Sequence, residues 1–195
     1  MEMPPAQASA PGPDPGRSGQ PWARTAITWF ALALAGSAVL GLPAGLIWGE
    51  VAPRALLQVV SPGTAEFVNV ETSAFIVADA WFCLITAVGG LITGVLGYRI
   101  LVRRAGWAAA AGLVLGAVAA ALLAMWAGEQ VGLGTYHHLL ASSPVGTFFH
   151  ASLTLGAKSS LAFWTLFTSA AILLAHSGAR RANQAETGSP AQESL

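Results

Sequence analysis

Four long apolar runs dominate the chain, each separated from the next by a stretch of different character. About twenty apolar residues at 1.5 Å per residue cover the roughly 30 Å hydrocarbon layer of a bilayer. The runs therefore predict membrane-crossing helices over 25–48, 74–101, 107–128 and 158–176. The first, Thr25 to Trp48, is longer than the apolar part of a cleaved secretory signal and follows a proline-rich lead-in, so it is predicted to remain as a crossing. Pro43, between Gly41 and Gly45, predicts a kink in its outer half.

Between the first two runs the period shortens. ALLQVV (Ala55 to Val60) and EFVNV (Glu66 to Val70) flank SPGTA (Ser61 to Ala65), which predicts a β-hairpin. A lone hairpin is marginal in water and must rest on something. The second long connection, 129–157, holds Tyr136, three histidines and FFHASLTL (Phe148 to Leu155), a stretch with strand propensity that suits a place beside the hairpin. Residues 1–22 and 178–195 are polar or rich in Pro, Gly, Ala and Ser, and are predicted to be disordered tails around a membrane domain over 23–177.

Composition agrees: 54% of residues are hydrophobic, 9% are charged, and mean hydropathy is +0.61. Soluble domains carry about 25% charge. The zero net charge gives no reason to expect a nucleic-acid partner. Charge position is more informative. Arg17, Arg24, Arg99, Arg103, Arg104, Arg180 and Arg181 fall on one side of the predicted crossings, and only Arg54 and Lys158 on the other. The excess of Lys and Arg on cytoplasmic loops then predicts both termini inside, with 49–73 and 129–157 outside. Trp22, Trp48, Trp81, Trp107 and Trp126 fall near predicted helix ends, where interfacial tryptophans gather.

Gly90 and Gly94 form a G-x-x-x-G, as do Gly112 and Gly116. Small residues at that spacing let helix backbones approach closely in lipid. The short turn at 102–106 makes the second and third helices antiparallel neighbours, so Gly90 is expected level with Gly116 and Gly94 with Gly112. AVGGLITG is no phosphate loop, because it lacks the Gly-Lys-Ser/Thr ending, and no cofactor is expected.

Asp79 is the least expected residue in an apolar run. It shares a helical face with Thr86, Gly90, Thr93 and Gly97, a face that should point into the bundle. Counting twenty residues back from Arg99 places it at the outer boundary of the span, about 30 Å away. Its expected role is an ion pair with Lys158 or Arg54, or a hydrogen bond at a helix start; a proton or ion site is the alternative. His137, His138 and His150, with Glu50, Glu66, Glu71 and Glu129, are candidate ligands for an external metal ion, since imidazole and carboxylate suit zinc. Their spacing matches no metal motif, so solvated loop residues are the expected reading and no metal is assigned. His176 suits capping of the fourth helix. The lone cysteine, Cys83, has no intrachain partner for a disulfide, and no G-x-S-x-G nucleophile elbow is present.

The block ETSAFIVADAWFCLITAVGG, with GLPAGLIWGEVAPR before it and LLAMWAGEQVGLG after, resembles an actinobacterial family of small four-helix integral membrane proteins of unassigned function. That family often has glycine after the aspartate, where this chain has Ala80. The resemblance implies four helices in a bacterial plasma membrane and no particular reaction.

The expectation is an all-α membrane protein: a four-transmembrane-helix bundle with a small extracytoplasmic cap containing a β-hairpin. It would be a non-catalytic component in a lipid bilayer, acting through a membrane-protein partner or as a homo-oligomer. The alternatives are a small transporter or channel subunit using Asp79, and an envelope metal-binding protein or enzyme using the external His and Glu residues.

Overall fold

The computed structural model describes residues 21–69 and 73–187. The expected tail over 1–20, Glu71, and residues 188–195 lie outside them. The helices are α1 (Pro21–Val39), α2 (Gly41–Val51), α3 (Ala74–Gly97), α4 (Arg103–Ala105), α5 (Trp107–Gln130), α6 (Leu133–Ser142) and α7 (Ala162–Thr187). The strands are β1 (Leu56–Ser61), β2 (Thr64–Phe67) and β3 (Phe148–His150). Four helical stretches are long and apolar enough to cross a membrane, in the order expected from the apolar runs.

The first crossing is broken where expected. Pro43 has no amide hydrogen to offer the carbonyl of Val39, so the ladder is interrupted at Leu40 and resumes as α2. The second ends in a π-helical turn, Tyr98–Val102, followed by α4. The fourth opens as a 3₁₀ turn, Lys158–Leu161. It then runs past its expected end at 176 to Thr187, because ARRANQAE is made largely of good helix formers. His176 therefore lies within α7, against the Tyr98 ring at 6.2 Å, and caps no terminus.

The two chain-adjacent helices expected to share their glycines do not. Gly112 and Gly116 of α5 lie against Phe30, Ala33, Leu34 and Ser37 of α1. Gly90 and Gly94 of α3 lie against Trp164, Phe167, Thr168 and Ala171 of α7. Close packing thus joins alternate crossings: first to third, second to fourth. α3 and α5 meet at Gly97, where an added Cβ would stand 2.5 Å from Leu113. A short turn makes two helices neighbours in the chain, but it does not choose which face each buries.

The α1–α2 line against α5 is a seam of small residues in steps of four. Ala33, Ser37, Gly41, Gly45 and Gly49 face Gly112, Gly116, Ala120, Ala124 and Gly128. Each pair is 79 positions apart, so the helices run parallel and in register. A Cβ on Gly41 or Gly45 would overlap the backbone of Ala120 or Ala124. This is the close approach that small-x-x-x-small spacing permits. The interior is correspondingly alanine-rich, with Ala117, Ala120, Ala121 and Ala124 buried around Phe82, Trp48 and Trp164.

The outward faces are apolar instead of charged. Leu46, Ile76, Leu84, Leu122, Leu166 and Leu174 are among many large side chains left exposed. Such a contiguous surface is rare on a soluble monomer. The buried threonine hydroxyls are satisfied, Thr86 by the Phe82 carbonyl at 2.7 Å, Thr93 by Gly89 at 2.7 Å and Thr168 across to Gly90 at 3.1 Å, whereas the buried Ser37 hydroxyl has no partner among the described residues.

At one end of the bundle sits a three-stranded antiparallel sheet in the order β2-β1-β3. β1 and β2 are joined by Pro62 and Gly63, and Gly63 has φ +76°, which a side chain would resist. The expected strand in 148–155 is present but short: Leu56, Leu57 and Gln58 pair with His150, Phe149 and Phe148. The buried faces of Leu57, Val59 and Phe149 pack on Tyr136, Leu139 and Leu140 of α6. This helix is absent from the expected loop 129–157. It begins after Gly132, whose φ of +80° turns the chain out of α5.

Candidate functional site at the sheet end of the bundle

The polar residues singled out in the sequence gather where helices meet sheet. Asp79, one turn into α3, accepts backbone hydrogens from Gly156 at 3.1 Å and Ala157 at 2.8 Å. Glu129, in the last turn of α5, accepts the amide of Leu155 at 3.2 Å. Two carboxylates from two helices thus hold three successive amides leading into the fourth crossing. The first amides of a helix lack internal partners, and its N-terminal end favours negative charge. These side chains satisfy the amides of the segment that enters the helix, up to Ala157 just before it, and set negative charge near its N-terminal end. Gly156 lets the chain come this close, since a Cβ there would stand 3.0 Å from Asp79 Oδ2.

Arg54 performs the complementary task. Its Nη2 donates to the carbonyls of Gly49 at 2.7 Å and Val131 at 3.2 Å, at the ends of α2 and α5. Helix C-termini present unpaired carbonyls and favour cations. The ion pair expected between Asp79 and Lys158 or Arg54 is not formed. Lys158 is exposed, and Arg54 turns its Nη2 to two carbonyls instead of to Asp79. Of the two structural roles open to Asp79, the helix-start hydrogen bond is the one found.

Trp48 ties the same end together. It is fully buried rather than interfacial, because Gly128 leaves a flat place on α5 for its ring. Its indole N–H donates to the Ala78 carbonyl at 2.8 Å, and its ring meets Phe82 edge-on at 5.0 Å. Trp81, Trp107 and Trp126 are exposed near helix ends. Sequence reasoning passed over Trp48 as a core residue; the glycine spacing of α2, Gly41, Gly45 and Gly49, was the signal that its face packs on another helix.

The metal candidates do not converge. His137, His138 and His150 are exposed, Glu129 is engaged with Leu155, and Glu71 lies outside the described residues. Among the described residues no three His, Cys, Asp or Glu side chains approach one another closely enough to hold an ion.

Two openings flank this region. One, of about 420 Å³, separates α2 from α3 and is lined by Leu40, Pro43, Ile47, Leu84 and Val88, with Trp164 at its floor. The other, of about 370 Å³, lies between α6 and β3 beside Arg54. Comparison of the chain with protein-family models, with curated proteins and with solved structures found no match.

Proposed function

We propose that this chain is a non-catalytic multi-pass protein of a bacterial plasma membrane, acting by binding a partner through its sheet and α6. Both ends of the chain lie in the cytoplasm, and the sheet with α6 forms an external cap. The observation that carries this reading is the commitment of Asp79, Glu129 and Arg54 to backbone groups. They hold helix ends together, and among the described residues no three His, Cys, Asp or Glu side chains converge beside them.

The orientation follows the excess of basic residues at the end opposite the sheet: Arg24, Arg99, Arg103, Arg104, Arg180 and Arg181 against Arg54 and Lys158. The likeness to small four-helix actinobacterial membrane proteins fits this placement. The transporter alternative gains little. Between Asp79 and Arg99 the only ionisable side chains are Cys83 and Tyr98, and Thr86 and Thr93 bond to their own helix. The metal-dependent alternative lacks a converging ligand set among the described residues. The partner is a second membrane protein or another copy of this chain.

Single cysteines at Ser61 and Ser177 in a Cys83→Ala background test the orientation. A membrane-impermeant maleimide should label Ser61→Cys in intact cells and Ser177→Cys only after permeabilisation. Labelling of Ser177→Cys from outside would reverse the topology. A photocrosslinker at Phe148, exposed on β3, should yield a discrete heavier species in native membranes. Recovery of the uncrosslinked chain alone would remove the partner-binding reading.

A further inference from the structure

We propose that the cavity between α6 and β3 is a binding site for a small organic carboxylate with an aromatic or branched apolar body. Its walls include Arg54, Thr135, Tyr136, Phe148, Phe149 and His150. At about 370 Å³ it falls at the lower end of the range for small-molecule sites, about 300–1,000 Å³.

The charge in this wall is unbalanced. Arg54 is half-buried, and no carboxylate among the described residues pairs with it. Both of its recorded bonds leave from Nη2, while its Nε is buried without an acceptor. A guanidinium offers five donors in a planar fork, and a buried donor left unmade carries a cost of about 1–3 kcal/mol. With Nη2 engaged and Nε buried, Nη1 is the end left to donate to a carboxylate, and it lies beside Gly132 in the cavity wall, 3.0 Å from where a Cβ there would stand. The carbonyls of Gly49 and Val131 hold the guanidinium in place before any ligand arrives, which lowers the ordering cost of binding.

The remainder of the wall selects the body of the ligand. Tyr136 and Phe149 lie with ring centroids 5.8 Å apart, and Phe148 is 54% exposed at the rim. Aromatic walls with one fixed cation suit an amphipathic monoanion. Phosphate groups usually draw several cations, and Arg54 is the sole Lys or Arg lining this cavity. The site rests on the reading above only for the side from which ligand arrives; binding in detergent does not depend on orientation, so either can fail while the other stands.

The test uses the full chain in detergent micelles, with 3-phenylpropionate as probe and its uncharged amide as control, followed by saturation-transfer NMR and titration. The carboxylate should bind at least about tenfold more tightly than the amide, a difference of about 1.4 kcal/mol. Thr135→Trp fills the cavity from α6 without touching the Arg54 bonds and should abolish binding while the melting temperature holds. Arg54→Lys keeps the charge but cannot hold both carbonyls and present a second nitrogen to the cavity, and should weaken binding by a similar tenfold factor. Equal binding of acid and amide, no binding of either at millimolar concentration, or unchanged binding by Thr135→Trp would each overturn the proposal. Displacement of the probe by an equal concentration of inorganic phosphate would overturn the carboxylate assignment.

Discussion

Asp79 places a carboxylate where two amides need acceptors, so its replacement should be felt as a loss of helix-end bonding. Hydrogen bonds to charged groups contribute about 1.5–3 kcal/mol when made. Asp79→Ala should destabilise the protein by about 2 kcal/mol, and Asp79→Asn, which keeps one acceptor, by about half of that. Lys158→Ala should stay within about 0.5 kcal/mol of the parent, as surface changes do. Denaturation in mild detergent distinguishes these outcomes; an effect of Lys158→Ala as large as that of Asp79→Ala would restore the ion pair. Trp48→Phe removes the bond to the Ala78 carbonyl and part of the ring, and should cost about 1–3 kcal/mol in the same assay.

At the scale of elements, the governing feature is the seam between α1–α2 and α5. Its pairs recur every four residues, because i and i+4 lie on one helix face. Gly45→Leu would drive a side chain into the backbone of Ala124 and force the helices apart, with loss of the folded species on size-exclusion chromatography. Gly36 is a built-in control. Nothing lies within 4 Å of a Cβ placed there, so Gly36→Ala should be tolerated and should raise stability by up to about 1 kcal/mol through helix propensity. Equal damage from both substitutions would show that glycine matters here for some reason other than close approach.

Across the whole molecule, two parallel helix pairs are assembled into one bundle, and the sheet end locks them. Arg54 joins the ends of the first and third crossings, while Asp79 and Glu129 reach from the second and third to the start of the fourth. The crosslinks run between non-adjacent crossings as well as adjacent ones, so the rim is a closed tie rather than a row of loops. The pairing of β1 with β3 adds a further link over a long chain separation.

Much of this was legible in the chain. Run length and hydropathy located four helices long and apolar enough to cross a membrane, Pro43 marked the break, and Pro62-Gly63 marked the turn between β1 and β2. Counting from Arg99 placed Asp79 at the rim instead of the midplane. These features are local, because each depends on residues within one helical span or one turn. The pairing of Gly112 with Ala33, and of Gly90 with the Trp164 backbone, was not legible, nor was α6 or the burial of Trp48. Glycine spacing says that a face is smooth, not which face it meets. A carboxylate at a helix end calls for a donor, but Asp79 found backbone amides 77 and 78 residues away instead of a lysine. The sequence by itself determined the four long helices, their order and the turn between β1 and β2, since those follow from hydropathy, reach and turn chemistry. Tertiary structure alone decided the partners, since in an apolar interior the choice is made by shape and by unpaired helix ends.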